Sequence, residues 1–261
     1  MPDIDDVFSD KPPGDVVMGC DCSPKGAANG PAPKGCGYLD KPDTVEAPQS
    51  DFDRIRKPST LDAGSPVQFE FPGDTSASAA TKYIAQVAGR KVPVYMPTSV
   101  PAGQSVPSVQ QIAAALGAVP AKQLDSVQQV VVSPNANPND AYWAQQYNMP
   151  GFQSAATGGA SGLTFYPQSH SWDQAFVDST AIHEGGHAYS AALWSDPAVK
   201  AKWQAAIVSD DLAPSTYAEA SPAEDFSESL VMYSLSKGTK CEAPARARYP
   251  ERYKTLDAMF K

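Results

Sequence analysis

The chain has 261 residues, 42% hydrophobic and 19% charged, with 29 acidic against 20 basic side chains and a net charge of −9. That suits one large domain, or a domain with a long appendage, and the negative field disfavours nucleic acid and anionic membrane surfaces as partners. No run approaches the roughly 18 apolar residues of a membrane span, and the acidic start Met1-Pro2-Asp3-Ile4-Asp5-Asp6 lacks the apolar core of a secretory signal peptide.

Residues 1–75 hold 11 of the 25 prolines. Segments such as Lys11-Pro12-Pro13-Gly14 and Pro31-Ala32-Pro33-Lys34-Gly35 cannot continue a helix or a central strand. This stretch reads as a Pro/Gly-rich extended N-terminal arm, linker or wrapping segment, and residues 76–261 read as the folded domain. Of four cysteines, Cys20, Cys22 and Cys36 fall in the arm and Cys241 lies far downstream. Their spacing matches neither a redox CxxC nor a common zinc knuckle. Disulfides, free thiols and a four-thiolate metal site all stay open.

From Ser76 the texture changes. Ser76 to Ala88 is Ala-rich, with Tyr83, Ile84 and Val87 at helical spacing before Gly89, and predicts a helix. Val92 to Met96 predicts a short strand. Pro107 to Leu116 predicts a second helix, with Val109, Ile112, Ala113 and Leu116 on one face. Val127 to Ser133 predicts a strand, and Asp140 a short capped helix through Tyr147. Gly158-Gly159 reads as a mobile loop leading to Leu163-Thr164-Phe165-Tyr166, an exposed or edge strand. The last third is helical: Asp173 to Leu193, Pro197 to Ser209, Pro222 to Lys237 behind the N-cap Ser221, and one short helix around Tyr249 to Tyr253. Mixed strands and helices followed by a helical half make the class α+β.

The chemistry concentrates in His183-Glu184-Gly185-Gly186-His187, which takes two of the three histidines. Positions i and i+4 of a helix share a face, so both imidazoles can reach one ion, and Glu184 falls beside a metal-bound water. Two central glycines weaken such a helix by about 2 kcal/mol, which leaves room for close packing or a substrate. Zn²⁺ needs a third protein ligand with the fourth position open. The candidates are Glu224, with Glu228 one turn on, and Glu219. Ser221-Pro222-Ala223-Glu224 is equally a capping box, in which Glu224 would reach back to the Ser221 N–H. If Glu224 takes the metal, Glu228 is placed to hold the far nitrogen of a ligating histidine. His170 reads as a surface histidine, and Asp178, Asp210 and Asp211 as solvated or capping acids.

An HExxH helix followed by a glutamate helix resembles the gluzincin zinc metallopeptidases, most nearly the anthrax-toxin lethal-factor-like group. Tyr217 stands seven positions before Glu224 in a Y…E-x-F-x-E arrangement completed by Phe226 and Glu228. The likeness covers roughly residues 160 to 235. It implies a zincin-like metallopeptidase domain with one Zn²⁺ held by His183, His187 and Glu224. It also implies Glu184 as general base, Tyr217 as hydrogen-bond donor to the oxyanion, and Glu228 behind a histidine. A peptide or protein substrate would lie against Leu163, Thr164, Phe165 and Tyr166.

The expected function is therefore zinc-dependent endopeptidase. The resemblance further suggests a toxin or effector domain, secreted or delivered into a target cell by a carrier or secretion system without a classical signal peptide, with a cytoplasmic location as the other option. The competing expectation is a zinc-stabilised binding module or degenerate peptidase that no longer cleaves.

Overall fold

The computed structural model describes residues 30–146, 148 and 150–261. They form an α+β arrangement: a seven-stranded mixed sheet with helices packed on one face and a helical second half. The strands are β1 (Ser59–Leu61), β2 (Ser65–Phe69), β3 (Ser78–Val87), β4 (Arg90–Pro97), β5 (Val130–Val132), β6 (Ala156–Gly159) and β7 (Gly162–Phe165). The main path runs β1-β3-β4-β5-β7-β6, with β2 also paired to β3. The β4–β5 and β5–β7 pairs are parallel, and the outer pairs are antiparallel.

The helices are α1 (Gln49–Ile55), α2 (Val109–Ala118), α3 (Ala121–Leu124), α4 (Asp140–Gln146), α5 (Gln174–Leu193), α6 (Pro197–Asp210), α7 (Pro222–Ser236), α8 (Glu242–Arg248) and α9 (Pro250–Met259). Period-two alternation builds the core. Val130 and Val132 turn to the helices, joining Ile112 and Leu116 of α2 and Val177 and Ile182 of α5. Val131 turns the other way, to Phe71 and Ala80, where Phe69 and Tyr95 stack with ring centroids 4.1 Å apart. No helix among the described residues is long and apolar enough to cross a membrane.

Several expectations need correction. The stretch expected as the Ser76–Ala88 helix is strand β3. Ala88 and Gly89 both have positive φ, 49° and 79°, and close a two-residue reversal that pairs Val87 with Arg90. Once β4 lies alongside, Ala85 and Val87 bury on alternate positions, and cross-strand pairing overrides the helical spacing. Gly158-Gly159 belongs to β6 rather than a loop, and β6 is the edge of the sheet. Leu163, Thr164 and Phe165 lie in β7 between β5 and β6, and Tyr166 follows directly, so this segment is not an edge strand. The tail forms two helices, α8 and α9, rather than one. Tyr147, where the fourth helix was expected to end, lies outside the described residues, as do Cys20 and Cys22.

Residues 30–75 belong to the same body. They supply α1, β1 and β2, and Cys36, Tyr38, Leu39, Val45 and Phe52 are buried in the main core. Cys36 and Cys241 form a disulfide that joins this segment to the start of α8. Asp178 is not a solvated acid: it is fully buried and pairs with Arg56 at 2.5 Å. Asp210 is buried too, and caps α9 by accepting from the N–H groups of Glu251 and Arg252 at 2.8 and 3.0 Å. Asp211 closes α6 in the left-handed region.

Candidate metal centre

Helix α5 begins where the Asp173 side chain accepts from the Phe176 N–H at 2.8 Å. It carries His183, Glu184 and His187 under the sheet edge, all buried. Its paired glycines are explained by contact. A Cβ on Gly186 would stand 2.8 Å from Ser227 Oγ and 3.0 Å from Ser227 Cα of α7, and one on Gly185 would stand 2.9 Å from Gln123 Nε2 of α3. Bare backbone at Gly186 lets α7 close on α5, and at Gly185 it makes room for the Gln123 side chain of α3.

Helix α7 begins at Ser221, whose hydroxyl accepts from the Glu224 N–H at 3.2 Å, with Pro222 in the first turn. Only this half of the capping box forms. The Glu224 carboxylate turns inward, with Oε2 lying 3.0 Å from His183 Nε2 and 3.2 Å from His187 Nε2. The two Nε2 atoms are themselves 3.2 Å apart. Four ligands at zinc–nitrogen distance in a tetrahedron stand about 3.3 Å from one another, so the triangle has the edge length such a site requires. These three residues form a group that can hold a metal ion.

Around the triangle, Glu228 Oε1 accepts from His183 Nδ1 at 2.7 Å, fixing that imidazole with Nε2 turned to the centre. His187 Nδ1 is buried without a hydrogen-bond partner among the described residues. The ring of Tyr217, in the 3₁₀ turn Tyr217–Ala220, stacks on His183 with centroids 5.7 Å apart and planes 27° apart. Glu219 is exposed and paired with Lys41 at 2.6 Å, away from the triangle. His170 is exposed and packs edge-on to Phe176.

Burial shifts the electrostatics. It pushes the Glu184 carboxyl up, opposed by His183, His187 and a hydrogen bond from the Gly158 N–H. Burial opposes charging of His183, but the hydrogen-bonded Glu224 and Glu228 outweigh it and hold the imidazole well above its usual value. Burial also disfavours ionised Glu224, yet the adjacent histidines hold it far below the ordinary carboxylate range. A divalent ion bound there would need Glu224 ionised and both Nε2 atoms bare.

Two contributors carried no signal in the sequence. A Cβ on Gly158 would lie 2.0 Å from the Glu184 carbonyl oxygen, so β6 runs directly on α5 at the general-base candidate. The Val45 N–H donates to Glu228 Oε2 at 2.7 Å from the segment read in sequence as an extended arm. No protein-family model matches the chain, and no curated protein matches its sequence.

Proposed function

We propose that this chain is a zinc-dependent endopeptidase with a zincin-like, gluzincin-type site. The observation that carries the reading is the buried His183–His187–Glu224 triangle, with Glu184 on the same helix and Tyr217 stacked over it. Two imidazoles and one carboxylate are a catalytic zinc donor set, leaving a position open. Zinc there supplies Lewis acidity, lowering the pKa of water and polarising a carbonyl.

The chain's own residues then divide the work. Glu184 takes the proton from the attacking water and passes it to the leaving amine, and its upward pKa shift brings it nearer to that task. The Tyr217 hydroxyl donates to the oxyanion. Glu228 keeps His183 oriented. An extended peptide adds to the open side of β6, which replaces Leu163–Tyr166 as the docking strand. The substrate is accordingly a protein or peptide. Delivery as a toxin or effector domain by a carrier or secretion system extends the same proposal.

The test is cleavage of an unfolded protein substrate by wild type beside Glu184→Gln, each with zinc content measured. The reading predicts zinc retained and turnover lowered by about 10²–10⁴-fold. A fully active Glu184→Gln protein contradicts the mechanism. Zinc binding with no cleavage by wild type favours the non-catalytic binding module.

A further inference from the structure

The segment from Cys36 to Val45 runs past both residues that flank the metal triangle. The Thr216 N–H donates to Pro42 O at 2.8 Å, and the Tyr217 N–H donates to Asp43 O at 2.9 Å. Lys41 closes the same turn from outside through its 2.6 Å ion pair with Glu219. Two residues on, the Val45 N–H donates to Glu228 Oε2 at 2.7 Å, and the Val45 carbonyl accepts from Ser179 Oγ of α5 at 2.9 Å. One short stretch of backbone therefore sets the Tyr217 turn and the carboxylate behind His183.

The stretch has no regular secondary structure between the 3₁₀ turn Gly37–Leu39 and α1, so its position must come from its anchors. Cys36 is bonded to Cys241, 205 residues away in sequence. Arg248 of α8 donates to the carbonyls of Leu39 and Gly30, and Lys240 donates to Lys34 O at 2.7 Å. Tyr38 and Leu39 are buried beside the disulfide. The anchors on one side come from the α8 end of the chain, and the atoms they position lie at the site.

We propose that residues 41–45 are a positioning strap for Tyr217 and Glu228, and that the Cys36–Cys241 disulfide pins it. Asp43 and Val45 act through their backbone groups on Tyr217 and Glu228, and do not touch the triangle. The strap's effect on metal affinity rests on the zinc reading given above; its effect on the two amides does not.

The experiment compares the full chain with its Cys36→Ser/Cys241→Ser variant, each alone and with Glu228→Ala, under conditions where all are folded. Zinc affinity is read by competition with a chelator, and amide exchange is read on metal-free protein. Loss of the disulfide should weaken zinc about tenfold in the wild-type background and less than twofold in Glu228→Ala, because both act through one carboxylate. Exchange at the Tyr217 and Val45 amides should quicken at least tenfold, with β4 amides changed far less. Losses of zinc affinity that multiply, or exchange unchanged at those two amides, overturn the proposal. Should the cysteine variant not fold, Lys41→Ala removes only a surface tie. It should quicken exchange at Tyr217 about threefold, and no change there overturns the strap. If wild type binds no zinc, the functional reading fails separately and the exchange rates still decide.

Discussion

The helical half and the sheet half are specified in different ways. Helices α5, α6 and α7 each begin at a side chain that caps its own first turn: Asp173, Asp196 and Ser221. Each also ends within a residue or two of where local signals place it. The sheet half is held by pairing between strands, some adjacent in sequence and some, as in β4–β5 and β5–β7, more than thirty residues apart. Strand β3 exists because β4 and β2 pair with it, and β6 because β7 does. Local rules suffice for residues one helical turn apart, such as His183 and His187. They are silent about which strand ends up beside those residues.

The seam between the two halves is the place to break this contrast. Gly158→Val puts a branched side chain into the Glu184 carbonyl, where even a Cβ would lie at 2.0 Å. It should cost about 3 kcal/mol of stability, read as a lower urea midpoint. A tolerated Val would mean that β6 does not seat on α5. Glu228→Ala acts within the helical half. His183 Nδ1 relies on that carboxylate while His187 Nδ1 has no such partner, so zinc should bind 10–100-fold more weakly, with the triangle intact. Unchanged affinity would mean that helix packing alone orients the ring. The smallest effect is expected in the sheet half, far from the site. Gly89 has φ 79° and open space around its α-carbon, so Gly89→Ala should cost about 1 kcal/mol, purely from the left-handed backbone. A stabilising Gly89→Ala would contradict the reversal that turns a helix-like sequence into β3.

The same division explains what was legible. The α+β class, helices α2 and α5 to α7, and the stretch from His183 to His187 follow from caps and periodicity. Glu224 was legible as one of three carboxylates, and only the fold separates it from Glu219, which faces Lys41 instead. The Ser76–Ala88 segment misled because Tyr83, Ile84 and Val87 fit a helical spacing, and that spacing does not show that the strand expected at Val92–Met96 folds back to pair with it. Asp178 looked like a solvent acid because its partner, Arg56, is 122 residues away. Val45 offered no side-chain signal at all, since its contribution is a backbone N–H. The pairing of Cys36 with Cys241, 205 residues away, is equally a matter of three-dimensional proximity.

The central claim is that His183, His187 and Glu224 hold one zinc ion. Metal content by mass spectrometry tests it most directly, on purified wild type beside His183→Ala and Glu224→Ala. The account predicts about one zinc per chain in wild type and its loss in both variants. The ion should stabilise the wild type by about 2.7 kcal/mol when free zinc stands a hundredfold above its dissociation constant. No zinc in wild type after reconstitution, or zinc retained by Glu224→Ala, would contradict it.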